Sequence, residues 1–422
     1  MDQGNTAFVL ICSALVLLMT PGLAFFYGGM VKAKSVVSMM MLSFGSLGII
    51  GVLWVVYGYA IAFSNGGTKG FNGIDGVFGI DTDFIGLKAQ VADAAAPAGA
   101  FPQLGFVAFQ ATFAIITVAL ISGAIADRAK FGAWMVFAAL WATIVYFPVA
   151  NWVFNFTLED GKVVDGGWIV YGLGVIDFAG GTAVHINAGA AGLALAIVLG
   201  KRFGFSKGIT QPHNVPLTLL GVALLWFGWF GFNAGSELAA DGLASIAFIN
   251  TLAAPAAAML GWILVEYFKH GKATSIGAAS GAVAGLVAIT PACASVDPLY
   301  GILLGAIAGA LCALAIDLKF ALGFDDSLDV VGIHLVGGIV GTLFIGIFGN
   351  GVGAAFGYGW HQFAMQALGA GAVLVYSFVL ALIIGFLVEK TIGFRVKAED
   401  EIAGIDTVVH GEEAYAFGAE RG

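Results

Sequence analysis

The chain has 422 residues, of which 60% are hydrophobic and only 10% charged, with a mean hydropathy of +0.97. Soluble globular chains carry about 25% charged residues, so this composition excludes a soluble enzyme of two or three domains and selects a chain built for lipid. The formal charge of −9 says little about partners here, because in a membrane protein the placement of charges matters more than their sum.

A bilayer core requires about 20 apolar residues per helix. Eleven stretches qualify: 7–28, 37–62, 102–125, 131–153, 180–200, 214–236, 244–267, 275–293, 299–317, 330–349 and 364–388. Barrel strands are excluded, because these runs are too long and do not alternate. The first run follows Met1-Asp2-Gln3, which lacks the basic start of a cleavable signal, and is longer than a signal core, so it reads as a span. The 63 glycines predict close backbone contact between helices. The fold class expected is an all-α integral membrane protein with a membrane domain over 1–390 and a cytoplasmic tail over 391–422.

Orientation follows from Lys and Arg. With the N-terminus outside, the inner side receives 14 of the 17: Lys32, Lys34, Arg128, Lys130, Lys201, Arg202, Lys207, Lys269, Lys272, Lys319, Lys390, Arg395, Lys397 and Arg421. Only Lys69, Lys88 and Lys162 fall outside, so the positive-inside rule predicts N-out and C-in. The outer connections add Asp75, Asp81, Asp83, Asp93, Glu159, Asp160 and Asp165, a mildly cation-attracting face.

In chain order, the third span places Phe109 and Phe113 one turn apart on one face; packing is the ordinary reading of such a pair, and holding a cation is the functional one. Asp177 stands at the outer mouth of the fifth span, as a helix cap, as a fixed negative charge, or as both. His185 lies about five residues into that span, and His334 about four into the tenth. An ionisable residue at such depth faces a cavity or the bundle interior and marks a path; a neutral histidine bonded to a neighbouring carbonyl is the alternative. Asp177, His185, Gly189 and Gly192 are echoed at the same offsets by Asp326, His334, Gly338 and Gly341. That echo, with the odd number of spans, fits two inverted five-helix repeats and one extra helix, with the site where they meet.

No third or fourth His or Cys stands near the histidines in sequence, as a zinc site requires. HExxH and P-loop patterns are absent from the sequence. No cofactor, metal or nucleic acid is implied, and an enzyme is not expected. Cys12, Cys293 and Cys312 fall in apolar runs without paired spacing and read as buried thiols.

Long motifs then converge. PGLAFFYGGMV (21–31), FQATFAIIT (109–117), DFAGGTAVHINAG (177–189), WFGFNAGS (229–236), ITPAC (289–293) and DDSLDVVGIHLVGG (325–338) make the chain resemble the ammonium transporter (Amt/Mep/Rh) family over nearly its whole length. The resemblance implies eleven helices in a 5+5 inverted repeat plus one, a homotrimer with one pore per subunit, and a plasma-membrane location. It implies paired pore histidines at His185 and His334, a structural aspartate at Asp177, and a stacked gate of Phe113 and Phe232. The outer ammonium site would fall on Phe109, Ser236 and an aromatic late in the fourth span. Counted from Pro148, the position the family gives to tryptophan holds Phe154, with Trp152 two residues earlier. The tail, which carries HGEEAYAF (410–417), is either a solvated extension or, as the resemblance implies, a cytoplasmic docking element for a PII-type signal protein.

The expected function is capture of ammonium, its deprotonation, and passage of ammonia through an apolar pore, with or without net charge transfer. A proton-coupled carrier for another solute would want carboxylates at the midplane, and none lies there. An ammonium sensor and a membrane hydrolase are the other rivals.

Overall fold

Without water in the bilayer core, backbone groups must be satisfied within the chain, and continuous helices do this. The computed structural model describes residues 1–64, 70–74, 76–95, 100–159, 162–205 and 211–415. Asp75, Asp160, Lys69, Lys207, Arg421 and the last two residues of HGEEAYAF lie outside the described residues.

The long helices are α1 Gln3–Met30, α2 Val36–Ala62, α3 Gln103–Ile125, α4 Phe131–Phe154, α5 Gly181–Leu199, α6 Val215–Gly235, α7 Gly242–His270, α9 Pro298–Leu322, α10 Val331–Phe348 and α11 His361–Thr391. Among the described residues these ten are long and apolar enough to cross a membrane. Between α7 and α9 lies α8, Ser275–Ile289, a shorter apolar helix of 15 residues. The apolar run predicts a span to residue 293, but the helix stops at Ile289. Thr290 keeps helical dihedrals, but Pro291 supplies no N–H to carry the ladder on, and the buried segment after Thr290 continues in turns.

Two prolines inside helices show how the interior satisfies its carbonyls. Pro148 in α4 leaves the Ile144 carbonyl without its helical donor, and Tyr376 of α11 donates its hydroxyl there at 2.8 Å. A π-helical turn, Ala142–Tyr146, accommodates the ring. Pro255 in α7 frees the Thr251 carbonyl in the same way, and Trp226 Nε1 of α6 donates to it at 3.0 Å.

Small residues set the helix contacts. Gly305 and Gly309, one turn apart on α9, face α7 so closely that a Cβ on either would sit 2.0 Å from the carbonyl oxygen of Ala254 or Ala258. α1 lies along α6, and α5 along α11. Two antiparallel hairpins decorate the α2–α3 and α4–α5 connections: β1 Gly70–Ile74 with β2 Phe78–Asp81, and β3 Phe156–Glu159 with β4 Lys162–Gly166.

The tail is not a solvated extension. Phe394 and Ile405 are buried, and Lys130 and Val396 exchange backbone hydrogen bonds with Phe394 and Arg128 at 2.9 Å each. Arg395 donates to the Leu199 and Lys201 carbonyls at 2.6 and 2.7 Å, and Glu401 accepts the Phe203 amide at 2.6 Å. Asp406 accepts the Val37 and Ser38 amides at 3.0 and 2.8 Å. The segment from α11 to residue 415 thus ties together the connections that follow α1, α3 and α5.

Candidate functional site

α5 and α10 both open with a π-helical turn, Gly181–Ile186 and Val331–Leu335, and each turn carries a histidine. The wider turn shifts the side chain relative to a regular helix, a deviation often found at functional sites. Just before α5, Asp177 accepts the amides of Gly180, Gly181, Thr182 and Ala183 at 2.9, 2.6, 2.8 and 3.3 Å, and the Thr182 hydroxyl as well. Asp177 is therefore a cap that fixes the start of α5, with both oxygens committed. Gly180 adopts φ +115°, and a Cβ there would meet Val184 at 2.7 Å, so glycine is required at this turn.

His185 and His334 are 1% and 3% exposed. Their rings are near-parallel at 22° with centroids 5.3 Å apart, and their Nδ1 atoms lie 3.3 Å from each other. One Nδ1 must carry the proton that the other accepts. If both rings are neutral, their Nε2 atoms are then one N–H and one bare lone pair. The pair lines an enclosed apolar cavity with Met19, Leu23, Ile116, Leu120, Leu225 and Val283. His185 Nε2 is buried there without a hydrogen-bond partner among the described residues.

A column of rings leads up from the histidines. Phe232 lies 6.1 Å from His185 at 26°, and Phe113 stacks on Phe232 at 4.1 Å and 25°. Rings at that separation leave no room between them. Phe109 tilts against Phe113 at 4.9 Å, and Phe154 meets Phe113 edge-on at 6.1 Å and 80°. Ser236 ends α6, donating its hydroxyl to the Phe232 carbonyl at 2.8 Å, which leaves its oxygen able to accept. Phe109, Phe113, Phe154, Phe232, Ser236, His185 and His334 thus come together from α3, α4, α5, α6 and α10.

Trp152 does not join them. Its Nε1 donates to the Val77 carbonyl at 2.6 Å, and its ring packs on Trp168 and Tyr376 at 5.4 and 4.6 Å, so the aromatic late in α4 that faces the column is Phe154. Sequence reasoning passed over Trp229, which stacks on His185 at 5.4 Å and 24° while donating to the Thr290 hydroxyl at 2.9 Å. The signal was its position three residues before Phe232, on the same helix face.

The α3–α4, α5–α6 and α9–α10 connections hold a buried charge cluster. Asp325 pairs with Arg202 at 2.9 Å and lies 3.9 Å from Arg128, and Arg202 also reaches Asp127 at 3.3 Å. Burial pulls the Arg128 guanidinium down to about 10 against the charge of Asp325. Among the described residues, no three His, Cys, Asp or Glu side chains gather as a metal-ligand set.

The family model described as Ammonium Transporter Family matches residues 7–415. The ammonium transporter of Mycobacterium tuberculosis (strain ATCC 25618 / H37Rv) is 56% identical, covering 100% of this chain and 92% of its own length. Among solved structures, one titled Sensor Amt Protein superposes with a TM-score of 0.86 at 29% identity, covering 96% of this chain and 98% of that one. The crystal structure of Saccharomyces cerevisiae Mep2 gives 0.83 at 33% identity, covering 94% and 88%. This chain, a multi-pass integral membrane protein, belongs to the ammonium transporter family, whose members are transporters rather than enzymes.

Proposed function

We propose that this chain takes up ammonium at an outer site of Phe109, Phe154 and Ser236, removes a proton, and conducts ammonia past Phe113 and Phe232 and along His185 and His334. The observation that carries the proposal is the histidine pair at 3.3 Å within an otherwise apolar cavity, closed off by a phenylalanine stack at 4.1 Å. Placing a bare cation in such surroundings costs tens of kcal/mol by Born reasoning, and a ring face returns only about 0.5–2 kcal/mol. A neutral molecule escapes that cost. The unpaired Nε2 of His185 offers the hydrogen-bonding atom that an ammonia molecule, with three N–H groups and one lone pair, requires inside a greasy lining. Potassium has no proton to release and no directed N–H bonds to make, so the same passage rejects it.

The reading includes α8 as an eleventh span, spans 1–5 and 6–10 as inverted repeats, N-out and C-in orientation in the plasma membrane, and assembly as a homotrimer with one pore per subunit, surrounded by membrane lipid. The membrane domain covers 1–390, and the cytoplasmic tail 391–422 docks a PII-type signal protein; unchanged co-purification of that protein after tail deletion would refute the docking role. Asp177 serves the path by holding α5, and hence His185, in place.

The test is methylammonium uptake into proteoliposomes. His185→Ala and His334→Ala should each lower uptake about five- to 150-fold at equal protein content, since a desolvated hydrogen bond is worth about 1–3 kcal/mol. Uptake equal to the parent in both variants would end the pore assignment. A recorded ammonium-gradient current would mean that the released proton also crosses, and electrical silence that it returns outward. The likeness to a sensor structure makes turnover per subunit worth measuring too, because a sensor that scarcely transports would show negligible flux.

A further inference from the structure

The outer end of α6 carries a carboxylate that the column does not use. Glu237 directly follows Ser236. The amides of Ser236, Glu237 and Leu238 fold back onto the carbonyls of Asn233, Ala234 and Gly235 at 3.2, 3.2 and 2.9 Å, and Leu238 leaves the helix with φ +60°. This tight turn fixes Glu237 directly after Ser236 of the outer site. The side chain is half-buried, and among the described residues its carboxylate has neither a hydrogen-bond donor nor a cationic partner.

Glu237 and Asp177 both lie within electrostatic range of Cys293, beyond the end of α8, which puts two carboxylates on one rim. Their surroundings differ. Asp177 has its oxygens filled by four amides and a hydroxyl, whereas those of Glu237 are open. Burial, with the like charge of Asp241 adding to it, pushes the Glu237 carboxyl up to about 7. An anion that is costly to hold and lacks a counter-charge is stabilised by a cation that arrives beside it. On the same rim the aromatic side is weaker than a tryptophan would make it, because Phe154 stands there.

We propose that Glu237 is a further member of the outer ammonium site, whose negative charge strengthens capture of the cation and makes capture depend on pH. The proposal rests on the outer-site reading given above. The charged and titratable groups around it are Asp241 from the α6–α7 turn, Asp177 from the α5 entry and the Cys293 thiol. From α1, Asn5 accepts the Ala240 amide at 3.0 Å, and Asp2 caps that helix. Ammonium favours the anionic form of Glu237, and by reciprocity the anionic form favours ammonium. The charge is present above about pH 7 and is lost as pH falls through that value, so KM should rise as pH falls from 8 to 6.

The experiment measures initial rates of methylammonium uptake into proteoliposomes across that window, in which methylammonium stays a cation. In the parent, KM should rise about threefold or more toward pH 6, the range expected of a half-screened charge pair. Glu237→Gln should show KM already raised about three- to tenfold at pH 8 and flat with pH, with the maximal rate kept. Asp241→Asn keeps the cap of α7, where Asp241 accepts the Leu243 and Ala244 amides at 2.9 and 3.1 Å. By removing the like charge it should move the KM midpoint to lower pH. A Glu237→Gln protein with the parent's KM and slope overturns the proposal, as does an unmoved midpoint in Asp241→Asn. A parent without saturable uptake would instead overturn the transport reading itself.

Discussion

At the start of α5, Asp177 stands three residues before a left-handed Gly180 and eight before His185. At the start of α10, Asp326 stands three residues before a left-handed Asp329, φ +62°, and eight before His334. Each carboxylate accepts amides of the π-helical turn that follows, Asp326 those of Val330 and Val331 at 3.1 and 2.7 Å. The backbone solution is the same at the two histidine-bearing ends. The surroundings are opposite: Asp177 relies on amides and one hydroxyl, while Asp326 sits beside Lys319, which donates to its carbonyl at 3.0 Å and pairs with Asp329. Asp325, its neighbour on the same connection, belongs to the Arg128–Asp325–Arg202 cluster. Placing a histidine thus requires only a capped, widened helix start, and the α10 end adds charge because it must also lock the connections and the tail.

The largest effect expected from breaking this comparison is on stability. Asp177→Ala leaves four amides without their acceptor and should lower stability by about 3 kcal/mol, read as an earlier melting transition in detergent. Asp326→Ala should be comparably damaging by a different route, since it also takes a countercharge away from buried Lys319. Lys319→Met should therefore restore about 1 kcal/mol to Asp326→Ala and nothing to Asp177→Ala in a double-mutant cycle. Equal rescue of both would show that the two ends are held alike after all. The smallest effect sharpens the outer end alone: Phe154→Trp should lower the KM for methylammonium about two- to fivefold, the gain of a better ring face. An unchanged KM would remove Phe154 from the capture site.

Much of this was legible in advance. Apolar run length located each long helix to within a few residues, because a bilayer imposes a length that composition cannot disguise. It failed where apolar character and helix part company: residues 290–293 are buried and greasy, yet Pro291 ends the helix. The matching offsets of Asp177–His185 and Asp326–His334 were readable because each cap and its histidine belong to one local turn. The acidic tail suggested solvent to a reader of composition, but Glu401 and Asp406 are 2% and 1% exposed, Asp406 holding the amides of Val37 and Ser38 and Glu401 the amide of Phe203 and the guanidinium of Arg395. Paired charges deep in an interface look no different in sequence from solvated ones.

The sequence by itself determined the membrane-spanning class, the positions of the helices and the residues that cap the histidine turns, since these depend on hydropathy and on partners a few residues away. Tertiary structure alone decided that His185 and His334, 149 residues apart, share one contact, that Phe154 rather than Trp152 faces the column, and that Trp226 and Tyr376 supply the donors two prolines withhold. Each of these is a meeting of side chains from different helices, and helix packing, unlike helix formation, is set by the shapes of partners that no local pattern records.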